Sequence, residues 1–301
     1  MPVRQTGPSK KARISGRKLE AYFARIAALE NAADSAIYRF CLSQDFATFE
    51  DAAAALSDAA AAVVESYGNA IGTAGGAWIQ QTLELAGDTT GAQLVQAAAL
   101  EALAHRPAEV LPPELAGALS EAAPTLLSAD RAAKDMAAKK AARATVTHTR
   151  KRAALILTET VTRADATAEQ LGRDPLGLLV AWVPGSPHPC GFCTLLASNG
   201  WRTAQRKALQ AYSSHIHEGC RCQQVFRPAN IAIGGYSPKK WAGVVDSVRA
   251  EATRGNGKID WAEAARAIDR KNYAIPEVGD EIRRRHREDY ARRKEAGENT
   301  D

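Results

Sequence analysis

A mainly α-helical fold with one small α+β segment is predicted, and three observations carry that expectation. Apolar residues recur at helical spacing along most of the 301 residues. Alanine is abundant and aromatics make up only 6% of the chain, a composition with strong helix propensity and little bulk to bury, which favours thin helical layers. Two short apolar runs, Leu178–Val183 between Pro175 and Pro184 and Cys222–Phe226 before Pro228, interrupt the helical pattern and read as strands.

The elements follow in order. Residues 1–17 read as a disordered basic arm, with Pro2, Gly7, Pro8 and Gly16 among the cations. Leu19, Tyr22, Phe23, Ile26, Leu29, Ala33, Ile37, Phe40 and Cys41 then lie on one helical face. Helices are expected over about 47–67 and 76–86, with Gly68, Gly72, Gly75 and Gly76 as the junction, and a fourth from about 91 to Pro107. Pro107, Pro112, Pro113 and Pro124 predict a broken segment, which closes a helical domain over 18–124.

Neither proline nor glycine occurs from Ser128 to Gly172, so one helix of about 40 residues, roughly 60 Å at 1.5 Å per residue, is expected there. That helix opens a region over 125–230 that also holds the two strands. Over 231–301 the chain is helical again. Ser237-Pro238 starts one helix to about 253, Asp260 and Glu263 form a capping box for a second, and Asp280 caps a last one to about Glu295.

The net charge of +5 is unevenly placed. Arg4, Lys10, Lys11, Arg13, Arg17 and Lys18 stand without an acid, and eight Lys or Arg face only Asp135 between Arg131 and Arg152. Lys139, Arg143 and Arg150 fall on one helical face. Such runs are solvated faces or, in the sharper reading, surfaces for a polyanion. No stretch approaches the roughly 20 apolar residues of a membrane span, and the N-terminus lacks an apolar signal core.

Chemistry concentrates in Cys190-Gly191-Phe192-Cys193 and His217-Glu218-Gly219-Cys220-Arg221-Cys222. A C-x2-C turn presents two thiolates to one point, and residues two apart on an extended backbone point the same way. Cys190, Cys193, Cys220 and Cys222 therefore form a candidate tetrahedral zinc set, with His217 as a replacement ligand and His215 and His188 more distant. A reducing cytosol favours metal over disulfides. Three readings stand: a structural metal, disulfides or packed thiols, and a redox or nucleophilic site. The redox reading is disfavoured because the C-x2-C does not open a helix after a βαβ pattern. A catalytic zinc needs an open position and a base such as Glu218.

Trp182 and Trp201 are expected to cover this site, Trp78, Trp241 and Trp261 to be core, and Cys41 to be a buried small hydrophobe. No catalytic constellation is found, and no helix-turn-helix or finger spacing supports sequence-specific nucleic-acid recognition.

Ala181-Trp182-Val183, Cys190-Gly191-Phe192-Cys193 with Leu195-Leu196-Ala197-Ser198-Asn199-Gly200, and His217-Glu218-Gly219-Cys220-Arg221-Cys222 together resemble the MuF-like minor head proteins of tailed bacteriophages, in their actinobacteriophage form. The resemblance covers roughly residues 125–230. It implies a non-enzymatic protein of small copy number, made in the host cytoplasm and carried in the virion near the portal, with a role in head morphogenesis or DNA delivery. Portal, major capsid or scaffold proteins are the implied partners, with packaged DNA held through phosphate contacts by the basic segments. The alternatives are a zinc-dependent enzyme acting on nucleic acid and a non-specific DNA-binding helical protein.

Overall fold

The computed structural model describes residues 12–104, 111–207, 209–210, 216–217, 220–254 and 257–274. The fold is mainly α, about 70% helical with a few short strands, as the composition predicts. Contacts divide it into two units: residues 1–180, 202–219 and 224–236, and residues 181–201, 220–223 and 237–301.

The first unit is built on five helices: α1 (Gly16–Ser43), α2 (Phe49–Leu85), α3 (Thr89–Ala104), α4 (Pro113–Leu126) and α5 (Arg131–Gln170). Their starts are set by side chains that satisfy otherwise unpaired amides: Ser15 accepts from Lys18, Thr48 from Asp51 and Asp130 from Ala132. Helix α5 packs against each of the other four. One core joins Ile37 and Cys41 of α1, Leu56, Ala60 and Val64 of α2, Leu115, Leu119 and Leu126 of α4, and Ala137, Ala138, Ala141 and Ala142 of α5. The expected boundary at 124 falls inside α4, which shares this core with α5. Burial pushes the Cys41 thiol up to about 11, as befits a packing residue.

The expected glycine junction is absent. Residues 49–85 form one helix of 37 residues whose buried positions step by four, Ala52, Leu56, Ala60, Val64 and Gly68, and continue through Gly72 and Gly75. A glycine inside a helix costs about 0.5–1 kcal/mol relative to alanine, so these need a compensating contact. Helix α5 supplies it. A Cβ on Gly68 would lie 2.8 Å from Arg152 Cδ, one on Gly72 2.8 Å from Ile156 Cγ2, and one on Gly75 2.5 Å from Leu157 Cδ2. The glycines are a groove for a close helix crossing. Gly72→Val is accordingly expected to lower the unfolding free energy by about 1–3 kcal/mol in urea denaturation, because the fully buried Ile156 has little room to retreat.

The polyanion-facing stripe expected on α5 is largely engaged within the chain. Lys139 pairs with Asp135 at 2.7 Å, Lys140 with Glu121 at 2.8 Å, and Lys134 Nζ donates to the Gln44 carbonyl. Lys139 and then Tyr38, both donating to Asp135, hold that carboxyl below its usual range. Arg150 is 5% exposed, with Nε 2.8 Å from Glu30 Oε1, and buried Arg152 donates to Asn69 Oδ1.

Three other expectations change. Residues 13–14, assigned to the arm, form β1 (Arg13–Ile14), which pairs in parallel with β5 (Ala232–Ile233). Pro124 lies inside α4, in its last turn, where it cannot donate to the Ser120 carbonyl and only two helical residues follow it. Trp261 is 57% exposed, whereas Trp78 and Trp241 are buried as expected, Trp78 donating to the Phe226 carbonyl. His105, Pro107 and the expected helix over 280–295 lie outside the described residues.

The predicted strands are present as β2 (Leu178–Val183) and β4 (Gln223–Pro228), in a three-stranded sheet of order β3-β2-β4. The sequence reading missed β3 (Arg202–Thr203), two residues long and antiparallel to β2 through Leu179↔Thr203 and Val180↔Arg202.

The second unit holds α6 (Gly191–Ser198), α7 (Pro238–Asp246), α8 (Arg249–Ala252) and α9 (Trp261–Tyr273). The helix expected to run to 253 is broken after Asp246. One cluster of the unit's core joins Val245, Val248, Ala252, Ala264, Ala267 and Ile268, with Leu195, Val244 and Ile259 against it. Half of the six joined residues are alanines, which bury little area each, a circumstance in which a metal staple adds to stability. No helix among the described residues is long and apolar enough to cross a membrane.

Candidate metal centre

Cys190 is the N-cap of α6, and its Sγ accepts the Cys193 amide at 3.4 Å. The C-x2-C therefore opens a helix, with Cys193 in its first turn. Cys220 and Cys222 precede β4, and the Cys222 amide donates to Cys220 Sγ at 3.5 Å. Each half thus directs a backbone amide at a sulfur, an arrangement that favours the thiolate.

The two halves meet at Cys193, whose Sγ lies 3.4 Å from Cys220 Sγ. Cys193, Cys220 and Cys222 place their sulfurs within 4.8 Å of one another, as do the ligand atoms of Cys190, Cys193 and His217. Zn–S bonds of about 2.3 Å put tetrahedral sulfurs about 3.8 Å apart, so small movements close the set around one ion. None of these cysteines is in a disulfide. Cys193, Cys220 and Cys222 are buried, and Cys190 is half-buried.

Crowding decides the protonation of the cluster without metal. Hydrogen bonding with Cys190, then with Cys220 and Cys222, and then burial push the Cys193 thiol far above its ordinary range. Cys222 is eased by its bond with Cys193, but Cys220 and burial outweigh it and its thiol also rises. Several thiolates cannot share this volume without a cation, so protons or a metal must be present.

The sets contain all five ligands expected from spacing: Cys190, Cys193, His217, Cys220 and Cys222. His188 is exposed and in neither set, while His215 and Glu218 lie outside the described residues. No carboxylate belongs to either set among the described residues. Trp182 is fully buried and Trp201 half-buried.

Two residues of α9 that sequence reasoning missed act on the first half. Asp269 Oδ1 accepts the Gly191 amide at 2.8 Å, and Asn272 Nδ2 donates to the Pro189 carbonyl at 2.9 Å. No spacing links them to the cysteines; the Asp260 cap, which accepts from Ala262 and Glu263, signals only the helix that carries them.

A family model described as VG15 protein matches residues 13–244, about three quarters of the chain. The chain belongs to the VG15 protein family. This family is phage-associated. No curated protein and no solved structure matches the chain. The matched span contains the whole cysteine cluster and ends inside α7, so α8 and α9 of this VG15 family member lie beyond it.

Proposed function

We propose that the chain is a MuF-like minor capsid protein of a tailed phage, acting in head morphogenesis near the portal, and that its cysteine cluster holds one structural zinc ion. The observation that carries the zinc is the convergence of Cys193, Cys220 and Cys222 within 4.8 Å, with Cys190 and His217 meeting the same Cys193. Membership of a phage-associated family supports a place in the virion. The motif sequence around the cysteines supports the MuF-like type.

The zinc closes the loop between Cys193 and Cys220, 27 residues apart, and orders a unit with an alanine-rich core cluster. The protein acts by binding portal, major capsid or scaffold surfaces, and not by catalysis. A thiolate-rich set is saturated by protein ligands, unlike a catalytic zinc with an open position. Contact with packaged DNA falls to the exposed cations, Lys139 among them, since Arg150 is buried against Glu30.

Mass spectrometry of purified virions and proheads is the test. The protein is expected in both, in few copies relative to the major capsid protein; its absence from both sinks the head-protein reading. Nuclease activity lost in His217→Ala while the fold survives would replace it with the enzymatic one.

A further inference from the structure

We infer that α9 positions the Cys190–Cys193 turn for metal, with Asp269 and Asn272 as the positioning residues; this rests on the zinc reading above. Cys190 is the one thiol of the four that is not buried, so packing around its side chain does little to fix it. Its backbone is fixed instead from both sides. Asn272 holds the carbonyl of Pro189, the residue before it, and Asp269 holds the amide of Gly191, the residue after it. Both anchors come from the same helix.

The periodicity of α9 accounts for this double hold. Ala265, Asp269 and Asn272 are spaced four and three apart and share one face, while Ala264, Ala267 and Ile268 enter the core of the unit. Gly191 lets that face come close. A Cβ there would overlap the Ala265 carbonyl, with Ala265 Cα only 2.7 Å away. The Asp269 bond is charge-assisted and shorter than most amide–carbonyl bonds. With Pro189 and Gly191 both tied down, Cys190 keeps its extended cap conformation, and its Sγ stays on the Cys193 amide. Residues around ligands that fix their orientation typically change metal affinity by about 10- to 100-fold when removed. Because α9 lies beyond residue 244, this brace is carried by the part of the chain outside the matched family span.

The test uses the full chain and cobalt(II), whose thiolate charge-transfer band reports sulfur ligation, with zinc titrated in as competitor. Asp269→Ala and Asn272→Ala are expected to weaken zinc by about 10-fold or more and to alter the band, with helicity retained. Asp269→Asn keeps an oxygen to accept the Gly191 amide and should stay close to the parent. Arg266→Ala, at an exposed position on another face of α9, should not change it. Parent-like zinc affinity in both alanine variants overturns the brace alone. An equal loss in Arg266→Ala overturns it too, since the effect would then be general to the helix. A parent protein that binds neither metal overturns the zinc reading itself, and the brace with it.

Discussion

Cys193→Ser is expected to abolish zinc binding and to unfold the second unit at temperatures where the first remains folded. Cys193 is the residue shared by both ligand sets, so its loss leaves neither complete. Structural zinc contributes on the order of 10–16 kcal/mol apparent in small peptides, more than the alanine-rich cluster around Val245 and Ile268 can replace by itself. Metal analysis of reduced protein should give about one zinc per parent chain and none in the variant. Cys41→Ser is the matched control, because that thiol packs in the helical core.

Acid should mimic the substitution. The raised thiols of Cys193 and Cys222 mean that zinc must displace protons, so its apparent affinity rises with pH and the metal leaves as pH falls. Full zinc occupancy in Cys193→Ser would remove the structural argument.

Glu30→Leu should destabilise the first unit by about 3–5 kcal/mol, among the largest effects available to a single change in it. Glu30 and Arg150 side chains are 13% and 5% exposed, and the variant leaves the guanidinium in place without its carboxylate. Nearby Tyr22 already senses that carboxylate: burial first, and then the Glu30 charge, push its hydroxyl up. Adding Arg150→Met should recover much of the loss, because a hydrophobic replacement of the whole pair removes both buried charges. Urea unfolding of the two single variants and the double variant provides the comparison. A loss under about 1 kcal/mol in Glu30→Leu would show a pair that is effectively solvated, as surface pairs are.

Legibility in the sequence followed the range of the physics involved. Local signals read well: the stripe from Leu19 to Cys41 became α1, the glycine- and proline-free stretch became the 40-residue α5, and the Asp260 cap began α9. The two strands were legible from their proline boundaries. Gly68, Gly72 and Gly75 misled because a glycine that breaks a helix and one that admits a neighbouring helix look alike until the neighbour is known. Arg150 and Arg152 read as surface cations for the same reason, their partners Glu30 and Asn69 being more than 80 residues away. At the candidate metal centre, spacing picked out the cysteines and His217 that the structure brings together, but not the helix opened by Cys190. Nor did it reveal Asp269 and Asn272, which act through space on Gly191 and Pro189.

The central place of α5 also sets an order of events during synthesis. Helices α1 to α4 each press an apolar stripe against it, yet all four leave the ribosome first. Until residues 131–170 follow, those stripes have no common partner. At about 5–20 residues per second, that window lasts roughly 2 to 9 s beyond the completion of α4. A nascent chain truncated before Arg131 therefore carries four helices that touch one another but lack the helix completing their core, a ready substrate for holding chaperones or for aggregation.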